Sequence, residues 1–275
     1  MLIFETIGYI VLGFFVGGFG TLIGVGGGFL LIPALLLLFP GMPPETVTAI
    51  SMTTVLFNST SGSVAYARMK RIDYKTGLIF IAATLPGVII GTLLVSNISR
   101  SLFNLVFGGF LLIFAIIILL KNRIGDHSAP YDKLGAFRSR RIFTDREGHR
   151  TAFSFNMLTG LLISAAVGFL AGSLGIGGGI VHVPALVFLG FPAHFATATS
   201  HFALAGSSFT SFLIHLTNGD LSHDSIMAFS IAGGAVAGAQ IGAVLSKKIK
   251  GSVIMICLAV ALILAGVRIF ISGLS

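Results

Sequence analysis

Long apolar runs recur along the whole chain and are separated by short polar stretches. Most of these runs reach the length of about 20 residues that an α-helix needs to cross a bilayer. Two runs are shorter, at about twelve residues or roughly 18 Å of helix, and each begins in a cluster of glycines. The pattern predicts ten helical segments, at residues 2–22, 28–39, 46–67, 73–96, 101–120, 153–174, 179–190, 195–216, 223–245 and 250–271. We therefore expect an all-α polytopic membrane protein with about eight to ten transmembrane helices.

The two halves of the chain repeat one motif. Residues 24–33 read GVGGGFLLIP, and residues 175–184 read GIGGGIVHVP. A second element, TAISM at 48–52, matches TATSH at 197–201. Matches at this many glycines indicate an internal repeat of the kind found in transporters. With about five helical segments in each repeat, the predicted organisation is a first transmembrane repeat over 1–120, a linker over 121–152 and a second repeat over 153–275.

Charge asymmetry between matching loops predicts that the repeats are inverted. The loop RMKRIDYK of the first repeat is rich in Lys and Arg, whereas its counterpart TNGDLSHD has none. The next pair of loops reverses the bias, with SNISRS against SKKIKGS. Because Lys and Arg favour the cytoplasmic side, we expect a cytoplasmic basic linker and both termini outside. A parallel repeat with the two short segments uncounted is the alternative, and the linker is also compatible with a short amphipathic helix on the membrane surface.

The glycine motifs are expected to interrupt helices near the middle of the membrane. A helix that starts at such a break exposes up to four unpaired N–H groups, which must face protein, water or a ligand. Together with the helix dipole, these groups favour an anion. The alternative is that the glycines only allow helices to pack closely. The glycines expected to bind substrate are Gly26, Gly27, Gly28, Gly177, Gly178 and Gly179.

The third segment of each repeat is crowded with small polar residues. Seven-residue spacing places aligned members on one helix face, where they either line a hydrophilic path or bond helices together. The aligned residues expected to line the path are Ser51, Asn58 and Ser59 in the first repeat and Ser200, Ser207 and Ser208 in the second.

Acidic residues fall at helix ends or loops and are not predicted deep in any span. Transport of a cation usually requires a buried carboxylate, so the cargo is expected to be anionic or neutral. Two histidines, His182 and His201, do lie within predicted spans. Since histidine titrates near neutral pH, either one is a candidate to contact the anion or to carry a coupling proton, and a hydrogen-bonded core histidine is the alternative. We expect no metal, no cofactor and no catalytic residues.

Composition supports this class of protein. Hydrophobic residues make up 55% of the 275 residues and charged residues only 9%, against about 25% charged in soluble domains, so much of the surface must face the lipid bilayer. The formal net charge of +8 is concentrated in two short loops and the linker. We attribute it to the positive-inside bias and expect no nucleic-acid partner. The oligomeric state is left open.

The paired GxGGG-x₄-P motifs, Thr199 with Ser200, and the glycine pairs late in each half resemble the sulfite exporter family TauE/SafE. The resemblance covers nearly the whole chain except the linker, which is longer and more charged than the family pattern. Ile50-Ser51 stands where the pattern has Thr-Ser, and Met52 stands opposite His201. The resemblance implies a secondary transporter, an exporter of small sulfur-containing anions such as sulfite or sulfoacetate, in a bacterial inner membrane. A passive anion channel and an intramembrane enzyme are the alternatives.

Overall fold

A computed structural model of the chain describes residues 2–124, 138–144, 150–222, 224–246 and 251–274. Within these ranges the chain is almost entirely helical and forms ten helices, which confirms the predicted all-α class. The helices are α1 (Leu2–Ile23), α2 (Gly28–Leu38), α3 (Pro44–Arg68), α4 (Tyr74–Val95), α5 (Arg100–Ile124), α6 (Met157–Leu174), α7 (Gly179–Phe188), α8 (Ala193–Asn218), α9 (Ser225–Leu245) and α10 (Gly251–Leu274). Each predicted segment corresponds to one helix. The two short helices begin at the glycine motifs, as expected.

A small β-hairpin precedes the second half. Strand β1 (Arg138–Thr144) pairs antiparallel with β2 (Arg150–Asn156). The prediction of a short surface helix in the linker is therefore wrong for residues 138–144 and 150–152, which form strands. Alternating aromatic and polar side chains in β2 favour a strand. Most of the predicted linker lies outside the described residues. Because β2 extends to Asn156, helix α6 begins at Met157, four positions after the start that hydrophobicity predicted. The predicted start of the second repeat at residue 153 therefore falls inside β2.

Two pairs of helices run parallel in very close contact because glycines face the neighbouring backbone. A Cβ atom at Gly17 of α1 would lie 2.5 Å from Ala235 Cα of α9, and one at Gly91 of α4 would lie 2.5 Å from Phe169 O of α6. Real side chains do not fit at these distances, so small residues set the separation of the helices. These are equivalent pairs, since α1 corresponds to α6 and α4 to α9.

Equivalent helices of the two halves meet in antiparallel orientation. Thr48 near the start of α3 contacts His215 near the end of α8, whereas Gly62 later in α3 contacts His201 early in α8. Helices α5 and α10 are also antiparallel, with Ser101 Oγ donating to Gly273 O. Inverted repeats would produce this arrangement. The inversion relative to a bilayer stays a prediction.

The two ends of the helix bundle differ in construction. At one end, which we call the hairpin end, β1 and β2 cover the starts of α4 and α8. Arg141 Nε of β1 donates to Asp73 Oδ2 at 2.9 Å, and Phe153 of β2 packs against Phe191 and Phe195. The opposite end, which we call the distal end, gathers the starts of α3 and α5 and the ends of α8 and α10.

Five helices are long and apolar enough to cross a membrane, judged by length and composition within the described residues. These candidate spans are Ile3–Ile23, Tyr74–Val95, Arg100–Ile117, Met157–Leu174 and Ser225–Leu245. The polar helices α3 and α8 are not among them, yet they lie at the centre of the bundle. Ser51, Asn58 and Ser208 are 0% exposed, because the apolar helices surround them. This placement lets α3 and α8 carry the polar residues of a candidate site.

Candidate functional site

Each glycine motif turns the chain sharply between a long helix and a short one. In the first motif Gly24, Gly26 and Gly27 have φ of +86°, +84° and +85°. In the second motif Gly175, Gly177 and Gly178 have φ of +67°, +71° and +77°. L-residues rarely adopt these left-handed angles, so the glycines are required by the backbone itself. The shared geometry confirms that the two halves are broken in the same way.

The two breaks lie against each other in the centre of the bundle. A Cβ atom at Gly28, the first residue of α2, would lie 2.9 Å from Gly175 O. One at Gly179, the first residue of α7, would lie 2.6 Å from Val25 Cα. All residues of both breaks are buried. The starts of the short helices therefore face one shared and enclosed region.

Several backbone N–H groups at these starts have no acceptor within the described part of the chain. Leu30 and Leu31 donate to Gly27 O, and the equivalent Val181 and His182 donate to Gly178 O. Among the residues that the structure describes, no hydrogen-bond acceptor is found for the N–H groups preceding them, which belong to Gly27, Gly28, Phe29, Gly178, Gly179 and Ile180. Unpaired N–H groups at a buried helix start are suited to an anion.

Two apolar side chains lie beside both breaks. The Cβ position of Gly26 is 3.1 Å from Val55 Cγ1, and that of Gly177 is 2.6 Å from the same atom and 3.1 Å from Leu204 Cδ2. Val55 and Leu204 occupy matching positions of α3 and α8, one turn beyond Ser51 and Ser200. The expected hydroxyl-lined path is therefore partly apolar where it meets the breaks.

The matching serines differ in their hydrogen bonds. Ser51 Oγ donates to Gly175 O at 2.6 Å, which ties α3 to the second break. Ser200 Oγ is buried and has no hydrogen-bond partner among the described residues. Its helix face points to the breaks, because Thr197 packs against Gly24 one turn earlier and Leu204 follows one turn later. Ser200 thus offers an unused hydroxyl in the enclosed region.

His201 belongs to a buried polar network with Thr21 and Asn58. Thr21 Oγ1 donates to Asn58 Oδ1 at 3.0 Å, and His201 Nε2 lies 3.3 Å from Thr21 Oγ1. Since the single hydroxyl proton of Thr21 is used, His201 Nε2 must be the donor. The other ring nitrogen, Nδ1, is buried and has no hydrogen-bond partner of normal geometry in the described part of the chain, and the ring also interacts with the backbone of Gly24 at the first break. Two unsatisfied polar atoms therefore occur on adjacent residues, Ser200 and His201.

The remaining predicted residues have other partners. Asn58 Nδ2 donates to Gly17 O at 2.9 Å and to Ala235 O at 3.3 Å, joining α3 to α1 and α9. Ser59, Ser207 and Ser208 donate to carbonyl groups of their own helices. The hydrogen bonds of these four side chains are thus made to groups outside the glycine breaks.

His182 lies apart from His201. Its Nε2 is 3.2 Å from Ser164 Oγ, and its ring packs edge-on against Phe80, beside the aromatic cluster of the hairpin end. The two predicted proton-carrying histidines therefore do not form one relay by direct contact.

Sequence reasoning missed several residues that shape the site. Thr21 lies in an apolar helix and gave no signal, although it connects Asn58 to His201. Val55 and Leu204 are apolar residues among hydroxyls, so only their matching positions could have marked them. In the described residues no group of three or more His, Cys, Asp or Glu could hold a metal ion.

A polytopic helical bundle with two broken helices meeting at its centre is the architecture of a membrane transporter. Comparison with known proteins agrees and names the family. The family model for the sulfite exporter TauE/SafE matches residues 9–269, and the chain belongs to this family. That membership confirms the resemblance seen in the motifs.

Curated relatives have consistent names. The chain is 32% identical over 274 residues to the probable membrane transporter protein YunE of Bacillus subtilis, covering 96% of this chain and 97% of that protein. It is 31% identical over 213 residues to a probable membrane transporter protein of Methanocaldococcus jannaschii, covering 76% and 71% of the two chains. A probable membrane transporter protein of Sinorhizobium sp, ORF9, is 26% identical over 95% of this chain and 93% of its own. No solved structure matches the chain significantly. These names agree with the family in indicating a membrane transporter.

Proposed function

We propose that this protein is a secondary transporter that exports a small sulfur-containing anion, such as sulfite or sulfoacetate, across a bacterial inner membrane. The anion binds where the starts of α2 and α7 meet α8. The observation that carries the proposal is the pair of buried, unsatisfied atoms Ser200 Oγ and His201 Nδ1, next to unpaired N–H groups. Buried polar atoms are normally hydrogen-bonded, so such a cluster of unused groups is suited to a ligand.

The charge of the site favours an anion. The helix starts contribute N–H donors and the positive ends of two helix dipoles, and Ser200 adds a hydroxyl donor. Among the described residues, Asp and Glu are found at helix ends and turns, as predicted, and not beside the breaks. The breaks are in van der Waals contact with each other, so the cargo must be small.

Proton binding accompanies anion binding in this proposal. Neutral His201 donates through Nε2 to Thr21, which leaves Nδ1 as an acceptor. An anion needs donors, and Nδ1 becomes one only when it takes up a proton. We therefore assign His201 as the residue that carries the coupling proton with the anion. His182, nearer the hairpin end, is a second candidate to pass a proton towards that side.

The positive charge of the hairpin end supports export. The loop at the hairpin end carries Arg68, Lys70, Arg71 and Lys75, which would attract anions to the predicted cytoplasmic entrance. With this orientation the linker and hairpin are cytoplasmic and both termini are outside.

A carrier is favoured over a passive channel by the burial of the breaks. Gly26 and Gly177 are enclosed by Val55 and Leu204, so passage requires a change of conformation. An intramembrane enzyme is disfavoured because Ser200 Oγ, a potential nucleophile, has no hydrogen bond to a base in the described residues.

The test is exchange of labelled anions by purified protein in liposomes, comparing sulfite, sulfate, thiosulfate and sulfoacetate with and without a pH gradient. We expect saturable exchange of at least one sulfur-containing anion. Exchange should be faster when the compartment from which the anion is taken up is the more acidic one. Protein-free liposomes are the control. Absence of exchange for all four anions would contradict the proposal, and a non-saturating flux that follows voltage alone would identify a channel.

A further inference from the structure

A buried histidine and an aspartate form a close pair at the distal end. His215 Nδ1 lies 2.6 Å from Asp220 Oδ2. The His215 side chain is 0% exposed, whereas that of Asp220 is 14% exposed at the turn after α8. The pair therefore connects a ring buried in the bundle with a carboxylate that reaches solvent.

Hydrogen-bond directions around His215 account for its protons. Thr48 Oγ1 donates its only proton to Glu45 O at 2.9 Å. His215 Nε2, at 3.5 Å from Thr48 Oγ1, must therefore be the donor in that weak contact. A carboxylate oxygen at 2.6 Å from Nδ1 also requires a proton between the two atoms, since two lone pairs would repel. The geometry thus accommodates one proton at Nε2 and one proton shared between Nδ1 and the carboxylate.

Thr48 connects the pair to the candidate site. Thr48, which receives the Nε2 contact, packs against Gly175 of the second break, where a Cβ atom would lie 2.9 Å from Thr48 Cα. Gly175 O in turn accepts the Ser51 hydroxyl. One residue, Thr48, therefore lies between His215 and Gly175 of the second break.

The equivalent place at the hairpin end lacks this chemistry. In the alignment of α3 with α8, Tyr66 matches His215 and Arg71 matches Asp220. The backbone is the same, because Arg71 N donates to Tyr66 O at 3.3 Å and Asp220 N donates to His215 O at 3.1 Å. Tyr66 OH instead donates to Thr21 O. A tyrosine and an arginine do not exchange a proton near neutral pH.

We infer that His215 and Asp220 form a proton-binding pair that strengthens anion binding from the distal end only. The inference rests on the proposed function. Among the described residues, Glu45 at the start of α3 is the other charged group that interacts with His215. Both partners are acidic, so an unprotonated pair would repel an anion approaching from this end. Proton binding removes one negative charge near Thr48, which packs against the second break, and proton and anion then favour each other's binding.

The experiment measures the KM for labelled sulfoacetate separately from each side, in right-side-out and inside-out membrane vesicles with the internal pH held constant. Sulfoacetate is the probe because it stays fully ionised between pH 5.5 and about 8. Acidification should lower the KM measured from the distal side by on the order of fivefold more than the KM measured from the hairpin side. His215→Gln and Asp220→Asn should make the two sides equal, whereas the control His194→Gln, at the opposite end of α8, should keep the difference.

A second measurement does not depend on transport. ¹⁵N NMR of histidine-labelled protein, with His215→Gln to assign the signal by difference, reports whether His215 changes protonation between pH 5.5 and about 8. A ring that does not titrate there overturns the inference, as does a difference between sides that survives in His215→Gln. If none of the four anions is exchanged by the wild-type protein, the proposed function fails while the NMR result still decides whether the pair binds a proton.

Discussion

Replacing Ser200 by alanine separates ligand binding from structure, because the matching Ser51 provides an internal control. Ser51 Oγ makes a 2.6 Å hydrogen bond to Gly175 O, whereas Ser200 Oγ has no partner in the described residues. Both side chains are 0% exposed and occupy equivalent positions of α3 and α8. The two substitutions remove the same atom from similar surroundings and differ in the bond that is lost.

The two substitutions are expected to change the free energy of unfolding differently. Ser51→Ala leaves a buried carbonyl without its donor and should lower the free energy of unfolding by about 1–3 kcal/mol. Ser200→Ala removes a buried hydroxyl that bonds nothing, so the free energy of unfolding should stay the same or rise by about 1 kcal/mol. Thermal unfolding of both variants in detergent measures this contrast.

The expected effect of Ser200→Ala on transport is a loss of anion affinity. A hydrogen bond to a charged group contributes about 1.5–3 kcal/mol, which corresponds to a roughly 10- to 150-fold rise in KM for exchange. An unchanged KM would refute the assignment of Ser200 to the site. A loss of stability as large as that of Ser51→Ala would show instead that Ser200 has a structural bond in the folded protein.

Three further substitutions test helix packing, the backbone of the second break and the anchoring of the β-hairpin. Gly238→Ala should prevent close contact of α9 with α1 and reduce the yield of folded protein in size-exclusion chromatography, whereas Gly233→Ala, with nothing within 4 Å of its Cβ position, should not. Gly178→Ala places an L-residue at φ +77° and should lower the free energy of unfolding by about 1–2 kcal/mol; an unaltered melting temperature would argue against that backbone. Arg141→Gln should remove the 2.9 Å ion pair with Asp73 and speed proteolysis of the hairpin in inside-out vesicles, and equal cleavage of both proteins would contradict this anchoring role.

The sequence determined which parts of the chain are helical and where the helices break. Apolar runs of spanning length have no stable alternative to helix in lipid, and glycine clusters at matching positions mark breaks that other residues would resist. Membership in a repeat also follows from sequence, since Gly27 and Gly178 can be matched without any structure. The strand β2 was not predicted, because its aromatic residues Phe153 and Phe155 continue into the apolar run of α6.

Only the tertiary structure decided which polar residues remain available to a ligand. Ser51 and Ser200 are the same residue in the same motif, yet one is bonded across the bundle and the other is not. Asn58 and Ser207 also match, but Asn58 is used to join three helices. Hydrogen-bond partners come from segments distant in sequence, such as Thr21 for His201 and Thr48 for His215, and local pattern carries no information about them. Periodicity reports which face of a helix is polar, whereas the packing of neighbouring helices determines whether each polar atom on that face is already satisfied.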